Sequence, residues 1–499
     1  MPGMRTLLAI DIGTSSTKAA LFTNLGEMLA QHSVPYLVEI PHAGWAEQNP
    51  MDWWKATCNC TREVLHTAGY PTITGIAVSG QAPSLVAVDR DGEPVRQAVL
   101  WLDRRAHQQV LWLQDHLGLE KAIASTGNTI DSYYGGVKWL WFKQHEPELY
   151  RRTWKILQAS SYILYHLTGQ IVLDYSQAGL CSPCFNLHQR IWNPETCRLM
   201  GIDMDKLPRL VPSTAIIGQV TKTASESCGI APGTPVAAGG GDYALSCLGA
   251  GAIKSGDAAA MLGTAGNLLV TDPAGTDPRL INTVHVTGGA LSLGGVMAGG
   301  LVGWLQDILD LEDDHLFTIL EMEAANTPPG ADGLVFLPYL LGERTPIWDP
   351  SARGVYFGLS AYHKRGHLYR ALLEGAAFAF RQMLEIIRRT GTEIDSITLT
   401  DGGAASPLWR QIFADILGIP VHWQPKSGGT LLGTAMLAAV ACGELADFQE
   451  IDSWIGPVHI HHPIPERRTV YDRNFSVYSQ LYDRLRDLFP VLETRGRLN

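Results

Sequence analysis

The chain has 499 residues, 46% of them hydrophobic and 17% charged, with 51 glycines and a formal net charge of −11 at pH 7. That length exceeds one comfortable hydrophobic core and predicts two to three compact units, two being the first expectation, while the composition excludes a disordered chain. An acidic balance without a Lys/Arg cluster argues against nucleic acid or an anionic membrane as partner, and no stretch of ~18 apolar residues offers a membrane span. The start Met1 to Gly13 runs directly into a strand and turn without the apolar segment of a signal peptide, which predicts a soluble, cytoplasmic protein.

In chain order, the apolar run Leu7 to Asp11, the turn Ile12 to Ser16, the run Ala19 to Phe22 and the turn Asn24 to Glu27 predict an antiparallel meander. Amphipathic stretches at Met51 to Ala68 and Arg104 to Leu117 bracket strands at Gly75 to Ser79 and Ser84 to Val88, the order of a mixed α/β sheet. Thr234 to Ala238 is a further apolar run, followed by Gly239, Gly240, Gly241 and Asp242 and a helix from Tyr243. Gly249, Gly251 and Gly256 then interrupt the pattern, placing a boundary between Cys247 and Asp257 and dividing the chain into domains 1–249 and 250–499. Half a chain after Gly13, Ala260 to Val270 repeats the device of apolar run, Gly-Thr turn and apolar run, which predicts a duplicated architecture. Ser406 and Pro407 open a helix whose apolar face is Leu408, Ile412, Phe413, Ile416 and Leu417, and Gly418 with Pro420 stops it. A small-residue helix, Gly429 to Cys442, carries Gly433, Ala435, Ala438 and Ala439 for close approach to a neighbour.

Eight cysteines are sparse, and neither Cys58-Asn-Cys60 nor Cys181-Ser-Pro-Cys184 has the second pair or spaced histidine of a metal site, so plain thiols are expected. His459, His461 and His462 read as a solvated loop. No G-x-x-x-x-G-K-[ST] stretch exists, and Gly249-Ala250-Gly251 meets Lys254 where a dinucleotide fingerprint needs its third glycine. What the sequence offers instead is Asp11-Ile12-Gly13-Thr14-Ser15-Ser16-Thr17-Lys18, an acid at a strand end before a Gly turn lined with hydroxyls. Such a turn surrounds phosphate oxygens while the carboxylate holds Mg²⁺ directly or through water, although the same residues also make an ordinary polar hairpin. Asp242 after three glycines is a candidate proton acceptor, with a helix cap as the alternative reading. Gly402 and Gly403 leave room for a nucleotide against the backbone, or serve tight packing alone. Two Gly-Thr turns facing one another would clamp one polyphosphate.

Several segments together resemble the FGGY carbohydrate kinases. These are Asp11 to Lys18, Gly44 to Gln48 with Pro50 and Trp53, Gly239 to Asp242, Gly263-Thr264, Trp348 to Pro350 with Ala352 to Gly354, Gly354 to Leu359 with His367-Leu368 and Ala371 to Glu374, and Gly402 to Ala404. They follow the family order across essentially the whole chain. The resemblance implies an α/β fold of two actin-like (ribonuclease H-like) ATPase domains around a central cleft, the N-terminal one binding sugar and carrying the base, the C-terminal one binding ATP. It implies Asp242 as the catalytic base, Asp11 and Asp242 at the Mg²⁺ site, and Gln81, Trp101, Asp103, Tyr133 and Asp242 as sugar contacts. It assigns ATP to Gly13, Thr14, Ser15, Ser16, Lys18, Gly263, Thr264, Gly299, Gly402, Gly403 and Ala404.

The implied activity is phosphorylation of a terminal sugar hydroxyl, with D-xylulose as the leading acceptor and another ketose, a polyol or a sugar acid as alternatives. A non-catalytic actin-like module that binds ATP and sugar is the alternative of a different class, and a homodimer is the candidate assembly. The chain departs from the family pattern at Ala82-Pro83, where xylulokinases usually carry Met-His and glycerol kinases Arg-Glu. It departs again at Gly135, where Pro, Ser or Thr is usual, at Ala265, where a serine is common, and at Asp401, the first of three expected glycines.

Overall fold

In a computed structural model that describes residues 5–309, 316–425 and 429–493, the opening meander is formed by strands Arg5–Ile12, Ser16–Thr23 and Met28–Pro35. The chain makes two compact units. The first comprises Met1–Ile253, Asn282–Leu291 and Gly428–Ile455; the second comprises Lys254–Ile281, Ser292–Ser427 and Gly456–Asn499.

The sheet of the first unit runs in the order Ile216–Gln219, Pro235–Ala237, Thr72–Gly80, Arg5–Ile12, Ser16–Thr23 and Met28–Pro35. Arg5–Ile12 pairs antiparallel with Ser16–Thr23 and parallel with Thr72–Gly80, so the sheet is mixed. Its central strand is buried on both faces from Thr6 onward, which explains a near-continuous apolar run in place of alternation. Met28–Pro35, at the edge, is mostly exposed, Met28 and Leu29 included. Helix Pro50–Thr67 starts at Asn49, whose side chain accepts from the Met51 N–H at 3.1 Å, and it buries Trp53, Ala56, Cys60 and Val64. The strand expected at Ser84 to Val88 is Val86–Val88, which pairs with Lys155–Leu157 outside the main sheet.

Helix Gly429–Ala441, although late in the sequence, packs in this first unit against helix Asp242–Gly249 and strands Arg5–Ile12 and Thr72–Gly80. Its small residues permit a contact that larger ones would forbid. A Cβ on Gly433 would lie 1.8 Å from the Leu245 carbonyl oxygen, and one on Gly249 would lie 2.3 Å from that of Gly429.

The second unit repeats the hairpin as Ala258–Leu262 and Ala265–Thr271, again with a parallel strand, Ile397–Thr400, beside its first arm. Val421–Trp423 and His459–His461 continue the sheet. His459 and His461 therefore lie on an edge strand where a loop is expected from the sequence, and His462 follows it outside the strand. His459, Ile460 and His461 alternate along the edge, and the His461 Nε2 lies 3.0 Å from the Arg410 Nε. Helix Pro407–Leu417 forms as its signals predict: Ser406 Oγ accepts from the Trp409 N–H at 2.9 Å, and Gly418 ends the helix with φ at 69°. Its Ile412, Phe413, Ile416 and Leu417 are buried with Phe380 and Leu384 of helix Arg365–Arg388 in one core. All eight cysteines are free thiols. Among the described residues no helix is long and apolar enough to cross a membrane.

Candidate active site

Parallel pairing brings the principal acids to one sheet end. Asp11 stands opposite Ser79, and on the other side of that strand Gly240 and Gly241 pair with Ser79 and Gly80. Asp242 follows immediately as the first residue of its helix, so the two carboxylates leave the same end of strands two spacings apart, about 10 Å in the hydrogen-bonding direction. Strand carboxyl ends are where open α/β sheets bind ligands. The glycines before Asp242 are required by protein neighbours: Gly239 has φ of 70°, and a Cβ there would lie 1.8 Å from the Val78 carbonyl oxygen. The strand end thus comes down onto Thr72–Gly80 and releases Asp242 at its mouth.

Asp242 satisfies part of each reading of its sequence context. Its Oδ1 accepts from the Tyr243 N–H at 2.7 Å at the helix start, while the residue remains only partly buried. Burial, and then the negative charge of Asp11, push its carboxyl up to about 7 against the pull of its backbone donors. Asp11 is buried and also raised, by desolvation first, with the Ser79 hydroxyl and the Lys18 ammonium opposing. A carboxylate balanced near neutrality is matched to accepting a proton at neutral pH.

Among the described residues no cluster of at least three metal-ligating side chains occurs, so Asp11 and Asp242 are the carboxylates that would meet a Mg²⁺ ion at this sheet end. That fits the ion, which usually keeps several waters and takes one or two carboxylates plus substrate phosphates. The mutual repulsion of Asp11 and Asp242 is the cost that a hydrated cation would offset.

The Gly13–Thr14 turn is tied down through its backbone oxygens. Gly13 O accepts from the Tyr36 hydroxyl at 2.7 Å and from Gln81 Nε2 at 3.2 Å, while Thr14 O accepts from Gln48 Nε2 at 2.7 Å. Trp101, expected on the sugar side, donates its Nε1–H to Thr14 Oγ1 at 2.9 Å and so joins the two expected groups directly. Ser15 is exposed, Ser16 is half-buried, and Lys18 faces Asp11 across the hairpin.

Asp103 is fully buried, and protein donors occupy both of its oxygens. Ala46 N–H donates to Oδ2 at 2.6 Å and the Arg105 backbone N–H to Oδ1 at 2.9 Å, and the Arg105 guanidinium reaches Oδ2 at 2.7 Å while lying 3.6 Å from the centre of the Trp45 ring. Tyr133 is buried beneath Arg104 and Lys138, and burial holds the Lys138 ammonium down at about 7. Ala82 is buried, and Pro83 lies 3.4 Å from where a Cβ on Gly135 would stand.

Within the second unit the expected nucleotide residues also gather. Met261 pairs with Thr400, so Gly263 and Asp401 follow adjacent strands at one sheet end, and a Cβ on Gly263 would lie 3.4 Å from Asp401 Oδ2. Gly299 N–H donates to Gly263 O at 2.7 Å, which brings Gly299 and the helix it opens against the Gly263–Thr264 turn. Gly402, Gly403 and Ala404 form a 3₁₀ turn after Asp401. Gly403 is closely packed on Leu262 and Trp409, whereas Gly402 faces open space, so room for a ligand and room for packing fall to different glycines.

Ser79, Tyr36 and Gln48 are the residues whose roles the sequence reading does not assign. Ser79 is recognisable once Asp11 is aligned with its parallel neighbour; Tyr36 leaves no local signal, and the family segment Gly44 to Gln48 contains Gln48 without marking its bond to Thr14.

Comparison with known proteins bears on the chain as a whole. The N-terminal domain of the FGGY family of carbohydrate kinases matches residues 6–249, and the family's C-terminal domain matches residues 258–442. The chain belongs to the FGGY family of carbohydrate kinases. It is 30% identical to the xylulose kinase of Staphylococcus xylosus over 487 residues, covering 96% of this chain and all of the relative. It is equally, at 30% over 492 residues, identical to the gluconokinase of Bacillus subtilis, covering 95% of each chain. The crystal structure of a xylulose kinase from Rhodospirillum rubrum superimposes with a TM-score of 0.90 at 32% identity, over 97% of this chain and 100% of that one.

Proposed function

We propose that this carbohydrate kinase transfers the γ-phosphoryl group of ATP to the terminal hydroxyl of a small sugar, with a pentulose, D-xylulose first, as the acceptor. The observation that carries the reading is Asp242: a partly accessible carboxylate at a strand end, lifted to about 7 by burial and by Asp11. In the proposed step the hydroxyl attacks phosphorus in line with the leaving oxygen of ADP, and Asp242 takes the proton. General-base assistance is worth ~10²–10⁴-fold, leaving the remainder to positioning and electrostatics.

Asp11 and Asp242 would hold Mg²⁺, directly or through water, and the ion when bound offsets charge on the phosphate oxygens. Gly13, Thr14, Ser15, Ser16 and Lys18 are proposed to contact phosphate, and Gly263, Thr264, Gly299, Gly402, Gly403 and Ala404 the nucleotide. Gln81, Trp101, Asp103 and Tyr133 form the proposed sugar side, with Asp103 acting through Arg105 and the Ala46 N–H rather than through a free oxygen.

A sugar acid is the second reading, favoured by a gluconokinase relative at the same 30% identity as the xylulose kinase. The test is a panel of pentuloses, hexuloses, polyols and aldonates at fixed ATP and Mg²⁺ with coupled detection of ADP. D-Xylulose is expected to give the highest kcat/KM; a flat response over the panel would exclude kinase activity on these acceptors. Asp242→Asn keeps the shape and is expected to lose ~10²–10⁴ in kcat.

A further inference from the structure

Gln48 closes the short strand Glu47–Gln48, is 2% exposed, and has both ends of its amide engaged. Its Oε1 accepts from Trp53 Nε1 at 3.0 Å and from Gln81 Nε2 at 3.1 Å; its Nε2 donates to Thr14 O at 2.7 Å and to Leu37 O at 3.2 Å. An indole N–H only donates and a backbone carbonyl only accepts, so the amide has one allowed orientation.

That polarity passes to the next side chain. Gln81 Nε2 lies between two acceptors, Gly13 O at 3.2 Å and Gln48 Oε1 at 3.1 Å, which turns the Gln81 Oε1 to the opposite side. There, among the described residues, the Oε1 is buried without a hydrogen-bond partner. An unmatched buried acceptor costs free energy that a ligand donor recovers on binding.

We propose that Gln48 is a positioning residue for the transfer, acting at once on both binding groups. Through Thr14 O it holds the phosphate turn, and through Gln81 it fixes an oxygen, not an N–H, toward the acceptor substrate. The substrate group met there is consequently a hydroxyl donor; a carboxylate or carbonyl oxygen at that point would face an acceptor and be rejected. This deepens the function proposed above and rests on it.

The test uses the full-length enzyme with Gln48→Met, Gln48→Glu, Gln81→Met and the Gln48→Met/Gln81→Met double variant. ADP affinity by calorimetry, KM for D-xylulose and melting curves are recorded for each. Gln48→Met is expected to weaken ADP and to raise the D-xylulose KM, each by about tenfold. Gln48→Glu retains acceptors for Trp53 and Gln81 but has no N–H for Thr14, so it weakens ADP about tenfold and leaves the D-xylulose KM within about twofold. The double variant is expected to match the D-xylulose KM of Gln81→Met alone, because one residue acts through the other.

A purely structural role would lower the melting temperature and the active fraction without moving either affinity, and that result overturns the proposal. Multiplicative effects on KM in the double variant overturn it too. If Gln48→Met does not fold, the ADP affinity of Gln48→Glu decides: a value equal to the parent's overturns the proposal. A parent enzyme that binds ADP but leaves D-xylulose untouched refutes the acceptor assignment of the preceding section, and the ADP measurements still decide the part played by Gln48.

Discussion

Asp11 acts on Asp242 through charge: after burial, its carboxylate is the second cause that lifts Asp242 up to about 7. A base must be ionised to accept a proton, so kcat/KM is expected to rise with pH through about 7 and then level off. Asp11→Asn removes the neighbouring charge and is expected to move this limb to lower pH, while added Mg²⁺ moves it the same way in the parent. Profiles at low and saturating Mg²⁺ check both shifts, and a limb indifferent to Asp11 would separate the two acids.

Asp242 also bears on stability. Its carboxyl rises from the ordinary 3.8 to about 7 on folding, so between those values the folded chain holds more protons than the unfolded one. By linkage, its favourable contribution is complete below the lower value and is lost as pH climbs through the upper one. Asp242→Asn is thus expected to melt higher than the parent at pH ~8 by at most about 4 kcal/mol equivalent, and nearly level with it at pH ~4. Calorimetric scans at the two pH values measure this, and a lower melting point at the higher pH would contradict it.

Asp103→Asn separates a structural acid from a sugar contact. The change removes the bidentate partner of the Arg105 guanidinium, 1% exposed, and leaves it Glu47 at 2.6 Å as carboxylate partner. Leaving a buried ion wholly uncompensated costs about 3–5 kcal/mol, and the remaining Glu47 keeps the loss below that. The expected outcome is a fall in melting temperature together with a raised sugar KM in the folded fraction; a KM equal to the parent's would make Asp103 a structural acid alone.

Gly433→Ala places a methyl 1.8 Å from the Leu245 carbonyl oxygen, on the helix that Asp242 begins. Overpacking of this kind costs roughly 1–3 kcal/mol, and the displaced helix should lower kcat as well as the melting temperature. Gly443→Ala, whose Cβ would meet nothing within 4 Å but whose φ is 75°, provides the comparison for backbone strain alone.

What was legible in the sequence was local. Ser406, Pro407 and Gly418 announce a helix with its start and stop, and Asp11 to Phe22 announces a hairpin, because each signal lies within one turn of the chain. The family motifs extend this to the identity of the acids. Less was legible where a residue acts over distance: Gln48 holds Thr14 from 34 positions away, and no composition or period marks that bond. The three glycines before Asp242 were legible as a close approach, but not as an approach to Val78. His459 to His461 defeated the loop expectation because an edge strand needs little burial and tolerates polar side chains on its open face.

The placement of Gly429–Ala441 governs how the protein can be made. As residues leave the ribosome in order, the surfaces of Leu245, Gly249 and the opening strands that this helix covers stay uncovered until some 180 further residues have been translated. Expressed alone, Met1–Ile253 would therefore be a sticky fragment, and a complementing peptide spanning Gly428–Ile455 is the natural candidate to restore its solubility.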